Sequence, residues 1–283
     1  MAGRRAGARP ANRNKVAAME KETKLTAHKA SLRRRGIYLL PNLFTTGALF
    51  AGFFSVVAAM DGNFQKAAVA IFVAMALDGL DGRVARLTHT ESDFGKEYDS
   101  LSDMVSFGLA PALVVYQWGA TVLPEYGWLW GRLGWLAAFF YAVCAAMRLA
   151  RYNSRIGIAD KRYFEGLPSP SGAALVAGTV WLATEYSLHG FWGFVIAFAV
   201  TALAGALMVS NFHYYSGREL NLSRHISFPY LLLIPAFLIL VSLEPPVVLF
   251  SMFVGYAISG PVVTFVRRSR ARDRQQTGDK KAA

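Results

Sequence analysis

Apolar residues in this chain come in long runs, and polar residues gather in short breaks between them. Eight runs can be drawn as membrane helices: 37–60, 65–87, 97–118, 127–149, 171–186, 191–211, 228–243 and 246–266. A bilayer core needs about 20 apolar residues of helix. Several runs are shorter or turn polar at one end, as expected of a helix whose end lines a cavity instead of facing lipid. The pattern predicts an all-α, polytopic integral membrane protein of about eight transmembrane helices, spanning 36–268. A basic tail precedes it (1–35) and another follows it (269–283).

Composition supports the class. The 283 residues are 54% hydrophobic, with a mean hydropathy of +0.32, too apolar for an ordinary soluble domain. The net charge of +12 would suit a nucleic-acid binder, but its distribution argues for a membrane. With an even number of spans both tails share one side. That side collects all of the 30 lysines and arginines except Lys66 and Arg132. Basic loops mark the cytoplasmic face. The expectation is a multi-pass protein of the inner (cytoplasmic) membrane with both termini in the cytoplasm, its tails on anionic membrane lipids, and no nucleic acid. Residues 1–35 lack the apolar core of a cleaved signal peptide and read as retained. Cys144 is the only cysteine, which excludes an intrachain disulfide or a thiolate metal cluster.

The breaks carry the chemistry. Asp78, Asp81, Gly82 and Ala85 fall on one helix face at i, i+3, i+4 and i+7, and Asp99 and Asp103 are i, i+4 on the next helix. A turn near 88–93 would make these helices antiparallel neighbours and bring four carboxylates into one volume. Close carboxylate pairs repel by about 4 kcal/mol at an effective dielectric of about 20, so they need protons or cations. Oxygen-only ligands favour Mg²⁺, Mn²⁺ or Ca²⁺ over Zn²⁺. A cation transporter would also collect intramembrane carboxylates, usually near mid-membrane. Here they crowd the cytoplasmic ends of adjacent spans, beside arginines.

The motif Asp78-x-x-Asp81-Gly82-x-x-Ala85-Arg86, eight residues, then Gly95-x-x-x-Asp99-x-x-x-Asp103 resembles the signature of the CDP-alcohol phosphatidyltransferase family. The resemblance implies a metal-dependent membrane enzyme that moves a phosphatidyl group from a CDP-linked lipid to an alcohol and releases CMP. It implies metal ligation by Asp78, Asp81, Asp99 and Asp103, with Asp103 also the general base. It places cytidine and its phosphates over Gly82 and Ala85, with Gly95 opposite and Arg86 at a phosphate. The segment Pro41-Asn42-x-x-Thr45 would border the nucleotide; alternatively, Asn42 caps its helix and Thr45 bonds back to it.

Three later segments narrow the resemblance. Arg148-Leu149-Ala150-Arg151-Tyr152-Asn153, followed by Gly166-Leu167-Pro168-Ser169-Pro170, is similar to the membrane-bound (type II) branch that takes serine as acceptor. So is Leu207-Met208-Val209-Ser210. CDP-diacylglycerol and L-serine are then the implied substrates. Arg148 and Arg151, with Asn153 and Ser169 in the same segments, are the implied acceptor or phosphate ligands, since arginine suits bidentate binding of either anion. Plain positive-inside charge is the competing reading of these arginines. Glycerol 3-phosphate and inositol phosphate are the alternative acceptors. Homodimers are implied by resemblance alone.

Overall fold

A computed structural model describes residues 41–88, 90, 92–120, 123–155, 163–188, 190–215 and 228–282. The basic stretch 1–35 lies outside the described residues. Helix α1 covers Pro41–Met60, and α2 covers Phe64–Thr88. Helix α3 (Asp93–Asp103) runs through a π-helical turn (Met104–Leu109) into α4 (Ala110–Ala120). After a short 3-10 turn come α5 (Trp128–Ser154), α6 (Ser169–Glu185), α7 (Phe191–Val209), α8 (Phe228–Leu243) and α9 (Pro245–Ala282).

Among the described residues, four helical stretches are long and apolar enough to cross a membrane: Pro41–Met60, Trp128–Ser154, Phe191–Val209 and Pro245–Val266. The other four expected runs are helices too, each with a feature that weakens the signal. Helix α2 carries Asp78, Asp81 and Arg83. The third run is interrupted by the π turn. Helices α6 and α8 have only 17 and 16 residues. Helix α9 continues into the basic C-terminal stretch as far as Ala282.

The all-α expectation holds, with one short ribbon beside the helices. Strands β1 (Tyr163–Glu165) and β2 (His213–Tyr215) pair antiparallel, with Phe164 opposite Tyr214. Their connections leave helices whose last carbonyls need donors, and a short ladder satisfies backbone groups that the loops cannot satisfy alone. The ribbon ties the end of α5 to the end of α7.

Helix α6 forms the centre of the bundle. It is buried on nearly every face and packs on α2, α4, α7 and α9. A helix apolar all round belongs inside, and its glycine, alanine, serine and threonine residues let neighbouring backbones approach closely. The turn before it is fixed by Gly166, at φ +80°, whose N–H donates to Phe212 O at 2.8 Å. A Cβ at Gly166 would collide with Met208 O and the Arg151 guanidinium. Gly166→Ala should therefore lose roughly 2 kcal/mol or more of stability, from left-handed backbone strain plus overpacking. Thermal unfolding in detergent reads this directly, and an unchanged midpoint would refute it.

The π turn follows Asp103 at once. Here α1 crosses closely: a Cβ on Gly52 would lie 2.7 Å from Ser106 Cα. Ser102 Oγ donates to Thr45 O at 3.2 Å and Ser106 Oγ to Ala48 O at 3.1 Å. The fully buried Tyr141 of α5 donates its hydroxyl to Phe107 O at 2.8 Å. Single π turns frequently mark functional sites, and this one is pinned from both sides.

Candidate active site

The α2–α3 turn is compact. Thr88 Oγ1 donates to Val84 O at 2.7 Å, and Ser92 caps α3 by accepting the Gly95 N–H at 3.0 Å. The turn sets the C-terminal half of α2 beside α3, as the spacing predicts. Asp78, Asp99 and Asp103 each offer a carboxylate oxygen, and the three oxygens lie within 4.8 Å of one another. The carboxyl groups of Asp78 and Asp103 lie close enough to share a proton. Two carboxyl groups in that contact need a shared proton or a neighbouring cation. Asp99 Oδ1 is buried with no hydrogen-bond partner. A buried, unpaired acceptor of this kind is costly, and a hard cation is what an all-oxygen cluster would bind. The residues therefore fit a divalent metal.

Asp81 does not join that group of three. It is buried and accepts a hydrogen bond from Thr45 Oγ1 at 2.8 Å. It stays close enough to Asp78 and Asp99 for their charges to act on one another. The expectation of four converging carboxylates thus becomes three in contact and a fourth tied to α1. The Thr45 hydroxyl also lies 3.2 Å from Pro41 O, so its back-bond and its contact with the site coexist. Asn42 already has helical backbone, so it is not the N-cap.

One cavity of about 360 Å³ collects Asn42, Thr45, Gly82, Ala85, Arg86 and Gly95, the six residues expected around a nucleotide. Asp81 and Asp99 line it, as does Asn153, whose Nδ2 donates to Ser100 Oγ at 2.8 Å. That volume is within the range of small-ligand pockets. Arg86 is steadied by its own helix, Nε donating to Gly82 O at 2.9 Å. Sequence reasoning missed Lys96, Ser100 and Tyr152, which also line the cavity. Lys96 and Ser100 occupy unspecified positions of the motif, and Tyr152 sits inside the Arg-Leu-Ala-Arg-Tyr-Asn segment.

Gly82 is informative by elimination. Its backbone is helical, and a Cβ there would meet no atom within 4 Å. Packing does not require glycine, and alanine would favour the helix by about 1 kcal/mol. The open space is the cavity itself. Gly82→Ala should therefore raise or preserve the unfolding midpoint while weakening CMP binding about tenfold. Titration with CMP checks this, and undiminished affinity would place the ligand elsewhere.

The two arginines of α5 have different fates. Arg148 is buried, donates from Nη1 to Ser169 Oγ at 2.6 Å, and exerts its charge on Asp103. Arg151, expected beside it as an anion ligand, is spent on the fold. Its Nη1 donates to Val209 O at 3.0 Å and to Asn211 Oδ1 at 3.3 Å. Its Nη2 donates to Glu165 O at 2.8 Å, Met208 O at 3.1 Å and Ser210 O at 3.2 Å. The physical reason is the C-terminus of α7, whose free carbonyls attract a guanidinium. The three segments of the narrower resemblance meet at this knot.

Comparison with known proteins agrees with the geometry. The model of the CDP-alcohol phosphatidyltransferase family matches residues 38–210. A CDP-diacylglycerol–serine O-phosphatidyltransferase of Helicobacter pylori is 38% identical over 231 residues, covering 79% of this chain and 90% of that protein. The protein of that name from Mycobacterium tuberculosis is 38% identical over 188 residues, 63% of this chain and 62% of its own. The one from Saccharomyces cerevisiae is 36% identical over 143 residues, 46% of this chain and 49% of its own. With more than half of its length matched, and with Asp78, Asp99 and Asp103 clustered beside a cavity that Asp81 and Asp99 line, the chain belongs to the CDP-alcohol phosphatidyltransferase family.

Proposed function

We propose that this enzyme transfers the phosphatidyl group of CDP-diacylglycerol to the hydroxyl of L-serine, giving phosphatidylserine and CMP. The observation that carries the reaction is the convergence of Asp78, Asp99 and Asp103 beside a cavity of nucleotide-binding character. Serine as acceptor rests on the names of the relatives and on the segments around Arg148 and Ser169.

The cytidine and its phosphates occupy the cavity over Gly82 and Ala85, with Gly95 opposite and Asn42 and Thr45 at its edge. Arg86 meets a phosphate. Asp78, Asp99 and Asp103, backed by Asp81, would hold a divalent metal (Mg²⁺ or Mn²⁺) that stabilises charge on the pyrophosphate oxygens as CMP leaves. Asp103 accepts the proton of the serine hydroxyl. The serine oxygen forms a bond to the phosphorus that carries diacylglycerol. The bond from that phosphorus to the bridging oxygen of CMP breaks, and CMP departs with the electron pair. Arg148, fixed by Ser169, faces Asp103 and holds the serine carboxylate or the lipid phosphate. Asn153 borders the same space from α5. Arg151 serves by positioning.

The reading includes eight spans with the carboxylate side in the cytoplasm, supported by the distribution of lysine and arginine. It also includes a homodimer, supported by resemblance alone. The test is CMP release by the purified protein from CDP-diacylglycerol, with L-serine, glycerol 3-phosphate, inositol phosphate or no acceptor. Release that depends on serine is expected. A chelator should abolish it, and Mg²⁺ or Mn²⁺ should restore it. Release only with another acceptor would overturn serine, and full activity in excess chelator would overturn the role given to the carboxylates.

A further inference from the structure

Away from the carboxylates, helices α1 and α2 enclose an apolar groove of about 550 Å³. Its walls are Phe50 and Phe54 from α1 and Val69 and Val73 from α2, all exposed. Its two ends differ. At the active-site end Gly47 and Leu77 close it, since a Cβ on Gly47 would lie 3.3 Å from Leu77 Cδ1. At the other end stand Gln65 and Lys66. Lys66 lies twelve positions before Asp78 on one helix, which is about 18 Å along the axis.

Lys66 is one of two basic residues on that side of the chain. Among the described residues it forms no ion pair. The nearby acid, Glu185, accepts a hydrogen bond from Gln65 Nε2 at 3.1 Å. The groove thus offers an acyl-chain slot that is pinched near the active site and headed by an ammonium at the opposite membrane face. We infer that it binds an anionic phospholipid of the leaflet opposite the active site, with one acyl chain between α1 and α2 and the phosphate at Lys66. The lipid lies apart from the substrate, because the charged mouth of the groove is remote from the aspartates. The inference does not depend on which acceptor the enzyme uses.

The probe is phosphatidylglycerol, with phosphatidylcholine as the neutral control, added to the delipidated full-length protein in detergent. Bound lipid is counted by native mass spectrometry and the unfolding midpoint is followed. Phosphatidylglycerol should be retained about fivefold more tightly than phosphatidylcholine and should raise the midpoint more. Lys66→Gln should weaken retention about fivefold, the effect of one basic residue at a lipid surface, and Lys66→Arg should restore it. Val73→Trp fills the groove without changing charge and should abolish retention. Both variants should keep the wild-type KM for CDP-diacylglycerol. Equal retention of the two lipids, or wild-type retention by Lys66→Gln, would leave only unspecific lipid contact and sink the inference. A raised KM for CDP-diacylglycerol in Val73→Trp would hand the groove to the substrate and equally overturn it. None of these outcomes bears on the acceptor panel.

Discussion

Asp103→Asn should lower turnover by about a thousandfold while leaving CMP affinity near the wild-type value. A positioned general base contributes typically 10²–10⁴-fold, and asparagine has no basic oxygen to receive the serine proton. Asparagine is nearly isosteric, and its amide can still hydrogen-bond to Asp78, so the partnership of α2 with the end of α3 is retained. The cavity lining does not include Asp103, which is why nucleotide binding is spared. Steady-state transfer and CMP titration on one preparation separate the two effects. Turnover within tenfold of wild type would remove Asp103 as the base. A parallel loss of CMP affinity would assign it to binding instead.

Arg148→Lys should raise the KM for serine by about a hundredfold and leave metal dependence and CMP affinity close to normal. Disrupting a buried, hydrogen-bonded charge typically costs 2–5 kcal/mol, and lysine keeps the charge facing Asp103 but loses the planar fork. Arg148 is 8% exposed and its Nη1 is committed to Ser169 at 2.6 Å, so the remaining donors have a fixed direction. Serine kinetics and the metal concentration giving half-maximal rate distinguish these roles. Unaltered serine kinetics would confine Arg148 to neutralising the carboxylates.

Residue spacing made much of this site legible. The i, i+3, i+4, i+7 pattern from Asp78 to Ala85 put one face of α2 toward α3. The i, i+4 pair Asp99 and Asp103 met it because both lie before the π turn. Spacing cannot announce that turn, since Met104–Leu109 is as apolar as an ordinary helix and its extra residue is fixed by partners on α1 and α5. Nor could spacing tell Arg148 from Arg151. Both sit at the same end of α5, and only the arrival of α7 decides that one guanidinium fills a carbonyl knot while the other faces the carboxylates. The β1–β2 ribbon escaped for the same reason, as three-residue strands paired across about fifty positions carry no local period. Hydropathy marked four spans plainly. It is blunted in α2 by the residues that make the site, and α6, at 17 residues, falls short in length.

The Arg151 knot has a consequence for biogenesis. The aspartates of the site are all present in the nascent chain once the π turn has been made, because α2, α3 and that turn are contiguous, and Tyr141 of α5 pins the turn soon afterwards. The half around Arg148 comes later. Arg151 finds Glu165 O early, but its other acceptors lie at 208–211, in the last turn of α7 and just after it. A chain stopped before α7 is inserted carries assembled acids and an unanchored basic wall. Closure of the second half is therefore gated by membrane insertion of α7, which delays a competent enzyme until most of the bundle is in the bilayer.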